Sequence, residues 1–149
     1  MPGYAELHCL SNFSFLTGAS HPEELVVRAH ALGYAALAVT DQCSLAGVVR
    51  AHLAAKACGL PLIVGSEVAL EDGPRLVLLA EDREGYGNLS ELITAGRRRT
   101  AKGEYRLDRA DLARGLPHCT ALWLADEESD AEDGRWLAGL FPGHCWIAV

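Results

Sequence analysis

The chain has 149 residues, half of them hydrophobic and 22% charged, and its 13 Lys and Arg against 20 Asp and Glu give a formal charge of −7. Such a composition excludes intrinsic disorder, because an apolar chain of this size can offset the entropy of ordering itself. It also excludes a helical membrane span, since runs such as Leu76–Ala80 fall far short of about 20 apolar residues. No basic stretch followed by an apolar one opens the chain, so no signal peptide is expected and the expected compartment is the cytoplasm.

The predicted elements alternate strand and helix. Tyr4–Leu10 reads as a strand, followed by a turn-rich stretch to Ser20. Ser20 and Glu23 have capping-box spacing around Pro22, and Leu25, Val26, Ala29 and Leu32 form an apolar helical face that Gly33 ends. Ala36–Val39 is a short apolar run of the kind buried in a parallel sheet. Ser44 is the expected cap of a helix lined by Leu45, Val48, Val49, Leu53 and Ala57, with Gly59 as its stop. Pro61–Val64 and Val68–Leu70 then lead through an Asp72-Gly73 turn to a return strand at Leu76–Ala80.

A helix over Glu84–Ala95 should turn Tyr86, Leu89, Leu92 and Ile93 inward. After it come a basic connector (Arg97–Arg106), a short helix near Asp108–Arg114 and a strand at Thr120–Leu124. An acidic loop and a helix with Trp136, Leu137 and Leu140 precede Cys145–Val149, which reads as a buried strand. Because the sequence stops inside that strand, the chain is expected to be the N-terminal part of a longer protein.

Repeated β–α units imply an α/β fold, either an open parallel layer or a (β/α) barrel. Both architectures gather functional groups at the carboxyl ends of their strands. Those ends carry His8 and Cys9, Thr40-Asp41-Gln42, and Ser66-Glu67. A histidine and two carboxylates on one face suit a metal site for phosphoester hydrolysis. Equally, His8 can be a hydrogen-bonded core residue and Asp41 a cap, whereas Glu67 beside a buried strand calls for a partner.

The five cysteines form no CxxC pair and read as reduced core residues, and His118 and His144 read as structural. No GxGxxG or Walker loop and no GxSxG elbow occurs, which removes the common nucleotide-binding and serine-hydrolase patterns.

Three segments resemble the motifs of the polymerase and histidinol phosphatase (PHP) domain: Glu6 to Ser20, Ala36 to Gly47 and Leu62 to Glu67. Arg75–Ala80 and Glu84–Leu89 are similar to the strand and helix that follow. The wording is most similar to error-prone C-family bacterial DNA polymerases, relatives of the polymerase III alpha subunit. That resemblance implies an incomplete PHP domain over residues 1–149, part of a distorted seven-stranded (β/α) barrel with mostly parallel strands.

Active members of that family hold a trinuclear metal cluster. Carried over by position, His8 matches the first histidine of the H-x-H motif, but Leu10 stands in place of the second. Thr17, Gln42 and Arg75 occupy further ligand places, and an alkyl, a hydroxyl, a neutral amide and a fixed cation are poor substitutes for His or carboxylate. His8, Asp41, Gln42, Glu67 and Arg75 are therefore expected to be a vestigial site with no metal, and Arg75 is expected to pair with Glu67 or Asp41.

No catalytic residue or cofactor is expected in this stretch; Mg2+ belongs to the polymerase site of the longer protein. The implied role is scaffolding within a translesion DNA polymerase acting in damage tolerance and repair synthesis. Its implied partners are the remaining polymerase domains, DNA through the parent protein, and damage-tolerance proteins. Two alternatives remain open, a metal-dependent PHP phosphoesterase and an independent small binding module. Arg97, Arg98, Arg99 and Lys102, with Arg106, form the basic cluster, read either as a solvated connector or as a nucleic-acid contact.

Overall fold

A computed structural model describes residues 3–149. The chain divides into two compact units, Met1–Ser66 and Glu67–Val149.

The first unit is built from β–α crossovers. Strand β1 (Ala5–Cys9) leads to helix α1 (Pro22–Ala31), β2 (Ala36–Val39), helix α2 (Val48–Cys58) and the opening residues of β3 (Leu62–Ala69). β1 and β2 are parallel, as are β2 and β3, with Leu37, Ala38 and Val39 opposite Leu62, Ile63 and Val64. The β1–β2 register slips between Glu6 and Cys9, so β1 carries an extra residue just before its end. Val26, Ala29, Leu37, Val39, Ala51, Ala55 and Leu60 form the core.

Several boundaries differ from expectation. α1 is capped one residue later than Ser20: Pro22 is its first residue and holds His21 extended (φ −65°, ψ 150°), so Glu24 accepts from the His21 amide at 2.7 Å. α2 is capped at Gly47 and begins at Val48, with Ser44 taking its place in the preceding turn, where its hydroxyl accepts from the Ala46 amide. Its inner face is Val48, Ala51 and Ala55, while Val49 and Leu53 point outward. The small alanines let α1 approach closely. A Cβ on Gly47 would meet Pro22 Cγ at 2.8 Å. Gly33 and Gly59 end their turns at φ +74° and +75°, as their positions suggest.

The second unit contains the end of β3, then β4 (Arg75–Ala80), α3 (Arg83–Arg98), a 3-10 turn (Arg109–Leu112), β5 (Cys119–Trp123), α4 (Ala131–Leu140) and β6 (Cys145–Ile147). β4 and β5 are antiparallel, from Leu76 opposite Trp123 to Ala80 opposite Cys119, whereas β5 and β6 are parallel. Leu76, Val77, Leu78, Leu89, Leu107, Leu112 and Leu137 are fully buried.

α3 begins at the Asp82 cap, whose carboxylate accepts from the Gly85 amide at 2.9 Å, and runs through the start of the expected basic connector. Gly85, Leu89, Leu92 and Gly96 face inward and Tyr86 outward, because β5 and Leu107 approach at the glycines: a Cβ on Gly85 would lie 2.0 Å from the His118 carbonyl oxygen. β6 is not the buried strand its apolar sequence suggests. Trp146 and Ile147 are exposed, since the strand pairs with β5 but its faces remain uncovered by the described residues. Among those residues no helix is long and apolar enough to cross a membrane.

Candidate functional site

β1 and β2 end side by side, and their carboxyl ends are tied by Thr40. Its amide donates to the Cys9 carbonyl at 2.7 Å, its hydroxyl donates to the same oxygen at 3.2 Å, and that hydroxyl accepts from the Cys9 amide at 3.0 Å. The next residue, Asp41, is thereby carried into the interior and is only 2% exposed. A buried carboxylate needs donors. Asp41 Oδ1 accepts from the Ser11 amide and the Ser14 hydroxyl, and Oδ2 accepts from the Ser11 hydroxyl, all at 2.7 Å.

All three donors come from two residues of the loop between β1 and α1. That loop is tightly wound: the Asn12 amide donates to Ser20 O, the Ser14 amide to Ser11 O, and the Thr17 and Gly18 amides both to Ser14 O. Gly18 is required by the winding, for a Cβ there would fall 2.0 Å from Ser11 O. The Ser14 hydroxyl also accepts from the Gln42 amide at 3.0 Å. On the far side of Asp41, the Ser66 hydroxyl donates to its carbonyl at 2.7 Å and accepts from the Ser44 amide at 3.1 Å. Four serines and one aspartate thus fix the strand ends of this unit. Burial pushes the Cys9 thiol at the end of β1 up to about 11, so this side chain stays protonated at neutral pH.

Of the expected site residues, His8, Asp41 and Gln42 belong to the first unit and Glu67 and Arg75 to the second. His8 lies half-buried in β1, its amide donating to Glu6 Oε1 at 3.0 Å. Glu67, 5% exposed, sits in β3 and Arg75 opens β4; across that hairpin Arg75 Nη2 reaches Glu67 Oε1 at 3.1 Å. Of the two carboxylates offered to Arg75 by the sequence, it pairs with Glu67.

These observations test whether the side chains present suit a metal cluster. Asp41 presents both oxygens to protein donors, Glu67 faces a guanidinium, and the other inherited positions carry Leu10, Thr17 and Gln42. Among the described residues, no group of three or more His, Cys, Asp or Glu is placed to hold a metal ion. The donor set does not fit the trinuclear site.

Ser11 and Ser14 are the residues that the sequence pattern does not single out. Their only signal is Ser-x-x-Ser spacing within a loop from Leu10 to Ser20 that contains no charged side chain.

The basic cluster is partly spent within the fold. Arg99 makes a bidentate pair with Asp111, both contacts at 2.6 Å, which holds the Asp111 carboxyl below its ordinary range. Arg97 donates to Glu104 O at 3.1 Å and lies over the Tyr105 ring, and Arg106 is 3.6 Å from Glu71. Arg98 and Lys102 are exposed.

His118 and His144 are both paired, as their structural reading requires. His118 Nδ1 lies 2.6 Å from Asp82 and His144 Nδ1 lies 2.7 Å from Glu81, at the rim of an open cavity of about 350 Å³. The Asp82 and Glu84 carboxylates raise the His118 pKa.

Comparison with known proteins gives a consistent family of matches. The family model of the PHP domain matches residues 6–130. The error-prone DNA polymerase of Methylococcus capsulatus is 64% identical over 147 residues, covering 98% of this chain and 14% of that protein. That of Dechloromonas aromatica is 62% identical over 154 residues, covering 100% of this chain and 15% of the relative. The chain therefore spans about 15% of the length of such relatives.

Among solved structures, a candidate metal-dependent phosphoesterase from Bifidobacterium adolescentis matches 98% of this chain and 77% of its own, with a TM-score of 0.70 at 15% identity. It shares the α/β fold. An amidohydrolase from Chromobacterium violaceum, with bound sulfate and no metal, is 33% identical over 63% of this chain and 33% of its own, with a TM-score of 0.54.

Proposed function

The chain belongs to the PHP domain family, and from that membership we propose that it is a non-catalytic, incomplete PHP domain, an architectural N-terminal part of an error-prone DNA polymerase. The observation that carries this reading is the state of the two inherited carboxylates. Asp41 is satisfied by Ser11 and Ser14, and Glu67 by Arg75, so neither calls for an ion. The loss of donors at Leu10, Gln42 and Arg75 supports it further, since even disturbing groups behind a metal's ligands commonly costs about 10–100-fold.

In this reading the longer polypeptide performs template-directed nucleotide addition across damaged template, in damage tolerance and repair-associated synthesis in the cytoplasm. Mg2+ serves its polymerase site and none of this chain's residues. The domain braces the polymerase portion and meets DNA only through it, with Arg98 and Lys102 as the accessible remnant of the basic patch.

The test is phosphodiester hydrolysis by the purified chain with Mn2+, Zn2+ or Mg2+ supplied. The expected rate equals the protein-free control. Metal-stimulated hydrolysis abolished by His8→Ala and by Glu67→Ala would establish the phosphoesterase reading instead.

A further inference from the structure

Helix α4 is secured very differently at its two ends. It has only ten residues, too few to persist in water unaided, and two of them are glycines, which favour a helix less than any residue but proline. At the carboxyl end Leu137 is fully buried and Phe141 is 3% exposed. Gly115 also lies against that end, so close that a Cβ there would sit 2.8 Å from Leu140 O. In the amino half, Ala131, Glu132 and Arg135 are exposed, and Asp133, Gly134 and Trp136 are half-buried.

Little ties that amino half to the rest of the second unit. The Asp130 cap accepts from the Glu132 amide at 2.9 Å, which supports the helix without anchoring it. The loop before it is bonded within itself, Asp126 to Ser129. Gly134 rests on the Trp123 ring, where a Cβ would meet Cζ3 at 2.8 Å, but a glycine offers almost no apolar surface to bury. The remaining tie is Arg109. Its guanidinium pairs with Asp133, lies 4.5 Å from the centre of the Trp136 ring, and donates through Nε to Asp72 O at 2.7 Å. The Arg109 amide donates to Asp72 Oδ1 at 2.8 Å. One side chain thus fastens the amino half of α4 to the turn between β3 and β4.

We propose that α4 is a hinged flap. Its amino half swings off the Trp123 ring about the fixed Leu137–Phe141 end, and the Arg109 clasp sets how often it does so. The flap belongs to the second unit alone and is independent of the scaffolding role.

Native-state hydrogen exchange of the purified chain under increasing urea tests it. In a helix each amide bonds four residues back, so those of Arg135 and Trp136 report the amino half. They should exchange through an opening almost independent of urea. The Ala121 amide, bonded to His144 O within the sheet, should wait for the strongly urea-dependent global unfolding.

Two kinds of variant separate a hinge from ordinary destabilisation. Asp133→Asn cuts a contact present only when the flap is closed, so Arg135 and Trp136 should exchange about three- to tenfold faster. Arg109→Lys, which also loses the planar stacking and the Nε bond, should have at least that effect. Phe141→Leu weakens the end that stays attached in both positions. It should therefore speed exchange at Ala121 and leave Arg135 and Trp136 unchanged. Arg135 and Trp136 following the urea dependence of Ala121 in the native chain would overturn the inference. So would their indifference to both Asp133→Asn and Arg109→Lys, or acceleration by Phe141→Leu equal to that of Ala121.

Discussion

Ser11 grips Asp41 twice, its amide on Oδ1 and its hydroxyl on Oδ2, each at 2.7 Å. With Ser14 adding a third donor, the aspartate acts as the organiser of the β1–α1 loop. Hydrogen bonds to a charged group contribute about 1.5–3 kcal/mol each. Ser11→Ala should therefore lower unfolding stability by about 2 kcal/mol. Ser11→Ala and Asp41→Asn should be strongly non-additive, because each removes the same contact. A double-mutant cycle by urea unfolding measures it, and additive losses would contradict the clasp.

The winding of the loop makes a second, sharper demand. A Cβ on Gly18 would sit 2.0 Å from Ser11 O, inside any tolerable contact. Gly18→Ala should displace Ser11 and expose the Asp41 carboxylate, with slow amide exchange at Ser11 lost. Gly87, inside α3, has ordinary helical backbone and its added Cβ would meet nothing within 4 Å, so Gly87→Ala should cause no loss in the same measurement.

Arg75→Ala removes the guanidinium that faces Glu67. A fully buried pair loses about 3–5 kcal/mol when one partner is cut. Arg75 is 52% exposed, so water screens its charge and the expected loss is about 1–2 kcal/mol. Arg75→Lys should recover only part of it, and Arg75→His should not create metal binding. An unchanged unfolding midpoint for Arg75→Ala would show the pair to be incidental.

His118 gives the chain a pH dependence. Its pKa is raised by Asp82 first, then Glu84 and Glu81, so the folded value exceeds the unfolded one. Its contribution is full below the unfolded pKa of about 6.5 and disappears as pH rises through the folded value. Asp82 has the opposite sign: bonds from Gly85 and His118 lower its pKa, so its contribution is lost as pH falls. His118 also occupies φ +59°, which asparagine tolerates. Comparing His118→Asn with the native chain from pH 5.5 to 8.5, the gap in melting temperature should narrow steadily with rising pH. A gap independent of pH would contradict the assignment.

Much of the fold is legible in the sequence where one local cause dominates. Ala36–Val39 is fully apolar and becomes a buried central strand; Gly33 and Gly59 stop helices because only they take positive φ cheaply. The misreadings share a different cause, in that tertiary neighbours decide them. Pro22 moves the α1 cap to His21, Ala51 and Ala55 win the inner face of α2 over larger Leu53, and Trp146 is apolar without being covered. The candidate site divides the same way. Asp41, Glu67 and the Arg75 pairing follow from residues at strand ends, but Ser11 and Ser14 act through the shape of an aperiodic loop, which no spacing rule encodes.

The most direct measurement is calorimetric titration of Mn2+ and Zn2+ into the purified, chelator-treated chain. If protein donors have taken the place of ions at Asp41 and Glu67, no saturable binding appears and the melting temperature does not move with either metal. Stoichiometric uptake that raises the melting temperature and vanishes in both Asp41→Asn and Glu67→Gln would contradict it.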